Sequence, residues 1–172
     1  MNIAQSGRTI ALDAHGGFKN PHDGELYLLH VNRVAIGSPA QARRLYHELI
    51  AFGIIDEHGN IDLDMVEAVA WLHDVVEDTG VTLIMIETFL VAEGFAQWII
   101  DHVINAVALL TKPDDGSMSN KDYYLRIKRN PLARAVKLAD LQDNFRRNRL
   151  ITDEAKKLRM ATKYSLGMDI LG

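Results

Sequence analysis

A chain of 172 residues, 48% hydrophobic and 24% charged, is expected to form a single globular domain over residues 1–172, burying about 70% of its unfolded surface. The formal net charge of −4 argues against a nucleic-acid binder, and no apolar run approaches the ~18 residues of a membrane span. With no cysteine, disulfides, thiolate zinc sites and cysteine nucleophiles are excluded, so a metal would depend on the seven histidines and the carboxylates, donors that suit Mn²⁺, Fe²⁺, Mg²⁺ or Zn²⁺.

Helical punctuation recurs along the chain and strand alternation is nearly absent. Residues 3–15 carry Ile10, Ala11 and Ala14 at helical spacing, and 15–24 is a loop rich in Gly, Asn, Pro and Asp. A helix follows over 26–36, with Tyr27, His30, Val31 and Val34 inward. Ser38-Pro39-Ala40-Gln41 has the N-cap serine, N1 proline and N3 glutamine of a new helix, which should end near Phe52-Gly53. After a turn at 56–60, a central helix is expected over 63–78. Thr82 caps a short helix to Ala92, with a brief strand at 81–86 the weaker alternative. An apolar helix covers 95–110, and 112–118 is a polar loop. Ser119 and Asp122 open a helix to Lys128, Asn130-Pro131 opens one to about Asn148, and Thr152-Asp153-Glu154 starts the last, ending near Met168. The expected fold is all-α, a bundle of about eight to ten helices.

The chemistry concentrates in Trp71-Leu72-His73-Asp74-Val75-Val76-Glu77-Asp78-Thr79-Gly80. On a continuous helix His73 would align with Glu77, and Asp74 with Glu77 and Asp78. Carboxylates in a last helical turn oppose the helix dipole and call for a compensating cation. His30 sits among apolar positions and is expected to point inward. Asp140 lies inside a strongly apolar helix, where a carboxylate without a cation is very costly. Lys137, Asp140, Asn144 and Arg147 fall on one stripe of that helix.

The order His30, His73-Asp74, Asp140 resembles the H…HD…D pattern of the HD phosphohydrolase superfamily. More specifically, the chain is similar to the hydrolase domains of RelA/SpoT-type enzymes and to the free-standing small alarmone hydrolases. The matching segments are Ala14-His15, Tyr27-x-x-His30-x-x-x-Val34-Ala35, Leu72-His73-Asp74-Val75-Val76-Glu77-Asp78-Thr79, Leu110-Thr111-Lys112 and Val136-Lys137-Leu138-Ala139-Asp140. The resemblance implies an HD-type helical bundle with Mn²⁺ held by His30, His73, Asp74 and Asp140, and with Glu77 and Asp78 acting on the attacking water and in proton transfer. It implies removal of the 3′-pyrophosphate from guanosine tetra- or pentaphosphate, and the composition fits a cytoplasmic location. Lys19, Lys112, Arg126, Lys137 and Arg147 would supply charge to the phosphates, and Asn144 would contact the sugar. Two departures stand out. Phe18-Lys19-Asn20-Pro21 replaces the family's Arg-Lys loop, and Leu141-Gln142-Asp143-Asn144 replaces Arg-Leu-His-Asn. The alternatives are an HD-family phosphatase acting on another phosphorylated nucleotide, or a nucleotide-binding module without turnover.

Overall fold

In the computed structural model, which describes residues 1–20 and 24–172, the chain is built from helices α1 (Ile3–His15), α2 (Tyr27–Arg44), α3 (Tyr46–Ala51), α4 (Leu63–Leu72), α5 (Val75–Asp78), α6 (Leu83–Ala92), α7 (Gln97–Leu110), α8 (Asn120–Lys128), α9 (Pro131–Arg147) and α10 (Glu154–Leu171). Among the described residues there is no sheet. Two isolated antiparallel bridges, Lys19 with Leu26 and Ile55 with Ile61, close the turns before α2 and α4. No helix among them is long and apolar enough to cross a membrane. Pro21, in the loop expected to differ from the family's, lies outside the described residues.

The centre of the bundle is α4. Met65, Val66, Ala68, Val69, Ala70, Trp71 and Leu72 are all buried, so this helix is apolar around most of its circumference and must be enclosed by others. Helices α1 and α2 pack on it, and α7 and α9 complete the enclosure. Helix α9 is nearly as enclosed, with Leu132, Ala133, Ala135, Val136, Leu138, Ala139 and Leu141 buried between α2, α8 and α10. The apolar side chains of these helices form one continuous core. The expected caps are present. Thr82, Ser119, Asn130 and Asp153 accept hydrogen bonds from the backbone N–H groups of Met85, Asp122, Ala133 and Lys156, and each starts its helix at the expected place. Residues 83–86 are helical, not a strand.

Two boundaries differ from expectation, each for a local reason. No new helix starts at Ser38-Pro39, because α2 runs through Pro39. Proline removes the N–H that would bond the Ala35 carbonyl, and the Ser38 hydroxyl donates to that carbonyl instead, at 3.1 Å. The central helix expected over 63–78 is broken at His73-Asp74. Asp74 adopts φ −110° and ψ −3°, in the bridge region, and the chain restarts as the four-residue α5. The expected alignment of His73 with Glu77 on one helical face is therefore lost, and Glu77 and Asp78 fall in the first turn of α5.

Helix α10 reaches the core through Gly167, where an added Cβ would stand 2.7 Å from Leu141 Cδ1 and 2.8 Å from Tyr124 Cζ. Gly167→Ala is expected to lower stability by about 1–3 kcal/mol through overpacking. Thermal denaturation would detect this as a fall of about 2–4 °C per kcal/mol.

Candidate metal centre

Three separate segments deliver four ligand-type side chains to one point. His30 comes from the first turns of α2, His73 and Asp74 from the break after α4, and Asp140 from the middle of α9. His30 Nε2 lies 3.3 Å from Asp140 Oδ1 and 3.7 Å from Asp74 Oδ2. His73 Nε2 lies 2.9 Å from Asp74 Oδ2 and 3.9 Å from Asp140 Oδ1. The helix break explains the short His73–Asp74 approach. Adjacent side chains on a regular helix diverge by about 100°, whereas the bridge conformation at Asp74 turns its carboxylate back toward the imidazole.

The four distances, 2.9 to 3.9 Å, bracket the spacing of donors around a shared cation. Atoms ligating one ion at roughly 2.0–2.2 Å stand about 3.0–3.6 Å apart. One ligand atom each from His30, His73 and Asp140 lies within 4.8 Å of the other two. Despite its 2.9 Å approach to Asp74, His73 Nε2 makes no hydrogen bond, although it is fully buried. Close but undirected contact is what co-ligands aimed at a common point produce.

Both imidazoles are anchored through Nδ1, which turns Nε2 toward the cluster. His73 Nδ1–H donates to the Ala70 carbonyl at 2.7 Å, and His30 Nδ1–H donates to Asp143 Oδ2 at 2.8 Å. Asp143 is fixed in turn by Arg33 Nε, which donates to its Oδ1 at 2.7 Å. Glu25 accepts from Arg33 at 2.8 and 3.0 Å and pairs with Arg147. Asp140 receives Lys137 Nζ at 2.7 Å and Asn144 Nδ2 at 2.5 Å, and the Tyr27 hydroxyl donates to Asp74.

The electrostatics point the same way. Burial pushes His30 and His73 down, but the surrounding aspartates outweigh it and hold both above their ordinary value. Burial pushes Asp74 and Asp140 up, yet the positive charge of His73 on Asp74 and of Lys137 on Asp140 holds both carboxyls below the ordinary range. The cluster therefore attracts positive charge, which a proton or a metal ion can supply.

A cavity of about 320 Å³ opens beside the cluster, lined in part by Asp74, Glu77, Asp78, Lys137, Asp140 and Asn144. Glu77 accepts from the Lys112 backbone N–H at 3.0 Å. Asp78 is exposed as a residue, but partial burial of its carboxyl and the negative Asp74 beside it raise its pKa to about 6. Of the residues expected to bind substrate, Lys137 and Asn144 line this cavity and the other four do not. Lys19 is exposed outside it. Lys112 Nζ donates to Asn120 Oδ1 at 2.7 Å. Arg126 donates to the Leu109 and Thr111 carbonyls at 2.8 and 2.9 Å, which makes it a C-terminal cap for α7. Arg147 is paired with Glu25 and lines a smaller cavity of about 30 Å³.

Sequence reasoning missed Asp143 and Arg33 behind His30, and Tyr124, Lys163 and Tyr164 on the cavity wall. Asp143 was detectable in principle, one helical turn beyond Asp140. Nothing local marks the α10 residues, which arrive by packing alone. No protein-family model and no curated protein matches this chain.

Removing the charge behind His30 tests the arrangement. Asp143→Asn is expected to weaken divalent-metal affinity by about 10–100-fold while the far-ultraviolet circular dichroism stays helical. Unchanged affinity in a competition titration would contradict a role for Asp143 in holding the imidazole.

Proposed function

We propose that this protein is an HD-type, Mn²⁺-dependent nucleotide pyrophosphohydrolase that removes the 3′-pyrophosphate from guanosine tetra- or pentaphosphate or a closely related nucleotide. The observation that carries the proposal is the convergence of His30, His73 and Asp140, with Asp74 beside them and both imidazole Nε2 atoms turned to that point. The resemblance of Leu72-His73-Asp74-Val75-Val76-Glu77-Asp78-Thr79 to the RelA/SpoT-type hydrolases narrows the reaction. A bound divalent ion would acidify a water and polarise a phosphoryl oxygen.

The chain's own residues supply the rest. Asp78, with its pKa raised to about 6, is matched to accept and return a proton near neutral pH. Glu77, on the same cavity wall, is positioned by the Lys112 N–H and would orient the attacking water. The Lys137 ammonium faces the cavity beside Asp140 and offsets phosphoryl charge. Asn144 and Lys137 keep the Asp140 carboxylate in one orientation.

The departures at Lys19 and Asp143 favour testing more than one nucleotide, since Lys19 does not line the cavity. Pyrophosphate release from guanosine tetraphosphate, and from a panel of nucleotides carrying a 3′- or 2′-phosphate, tests the proposal. The parent is expected to release pyrophosphate only with Mn²⁺. Glu77→Gln is expected to keep the ion and lose about 10²–10⁴-fold in turnover. A Mn²⁺-loaded parent that releases neither pyrophosphate nor phosphate from any of the panel would overturn it.

A further inference from the structure

Helix α6 is apolar around most of its circumference, yet one whole face of it is open. Eight of the ten residues of Leu83–Ala92 are apolar and Glu87 is the one charged residue, but only Ile86 and Leu90 are buried. Ile84, Met85 and Val91 are 73%, 55% and 53% exposed, and Thr88 and Ala92 are exposed with them. A helix apolar on nearly all sides is ordinarily enclosed in a core or a membrane, and α6 is not long enough to cross a bilayer. Helices α7 and α1 pack on its inner face alone.

The five exposed positions, 84, 85, 88, 91 and 92, follow i, i+1, i+4, i+7 and i+8, which is one helical stripe. They are symmetric about Thr88. An antiparallel copy of α6, related by a two-fold axis through Thr88, would set Ile84 on Ala92 and Met85 on Val91, each contact being made twice. Each pair joins a larger side chain to a smaller one, the combination that lets facing helices interdigitate. A parallel copy would set like on like. No charge falls on the stripe. Glu87 flanks it and takes the register of Phe89, so a second copy brings no like charge into the contact. Thr88 brings no stranded hydroxyl to the axis, because it donates to the Ile84 carbonyl at 2.7 Å.

We infer that α6 is a self-association surface, on which two copies of this chain pair their α6 helices antiparallel across a two-fold axis at Thr88. A ten-residue helix is about 15 Å long, too little by itself for the ~800 Å² per partner of a standard interface. Both helices that pack on α6 extend the surface. Trp98 on α7 and Leu12 on α1 are exposed, and a groove of about 260 Å³ opens between α1 and α6 beside Met85. Because α6 carries none of the ligand-type residues, this inference is independent of the proposed reaction.

Sedimentation equilibrium of the full chain, from about 1 to about 200 μM, tests it. The parent is expected to pass from one-chain to two-chain mass within that range. Thr88→Glu and Thr88→Arg each set like charges against one another on the axis, and each is expected to weaken association at least about tenfold. An equimolar mixture of the two variants should pair at least as tightly as the parent. Thr88 is exposed, so both variants should keep the helical circular dichroism of the parent. A parent that stays at one-chain mass throughout overturns the inference. A dimer that both variants leave intact places the contact elsewhere and overturns it as well. Loss of pairing in both variants without recovery in the mixture overturns the two-fold axis at Thr88.

Discussion

Asp140 is buried and Asp74 largely so in the middle of a helical bundle, and much of the surrounding structure serves to make that burial tolerable. An unpaired charge in such a place is strongly destabilising. Lys137 sits on Asp140, Tyr27 donates to Asp74, and two imidazoles carry raised proton affinity beside them. Behind His30, the chain Asp143–Arg33–Glu25–Arg147 ties α2 to α9 through alternating charge. Helices α2, α4 and α9 pack on one another, and the four ligand-type residues lie on α2, on α9 and just past the end of α4. Packing and chemistry here share one set of helices, so the site is held by the rigid part of the molecule.

Much of this was legible from sequence, and the boundary of legibility is physical. Helix starts were readable because Thr82, Ser119, Asn130 and Asp153 act on backbone groups within one turn of themselves. The stripe on α9 was readable for the same reason, and Lys137 and Asn144 do meet Asp140 across one turn. Pro39 misled because its effect depends on whether a neighbour can take over the stranded carbonyl, and Ser38 does. The break at His73-Asp74 was hidden because periodicity reports which residues are buried and not whether the helix is continuous. That break matters most for chemistry, since it turns the Asp74 carboxylate to within 2.9 Å of His73.

Charge alone was a poor guide to the cavity wall. Arg126 and Arg147 have the right charge, yet one caps the end of α7 and the other closes the Glu25 network. Lys163 and Tyr164 reach the cavity because Gly167 lets α10 lie close against Leu141 and Tyr124, a relation with no local signature.

The most direct test of this account is thermal denaturation of the parent chain in EDTA and across a Mn²⁺ titration, with metal content measured on the same samples. A ligand that binds only the folded chain raises stability with concentration, by about 2.7 kcal/mol at a hundredfold excess over its dissociation constant. The account predicts a rising midpoint that saturates at one ion per chain, and loss of that rise in Asp140→Asn. A midpoint that does not respond to Mn²⁺ or to any other divalent ion, with no metal retained, would mean that the buried cluster is a closed charge network and not a metal centre.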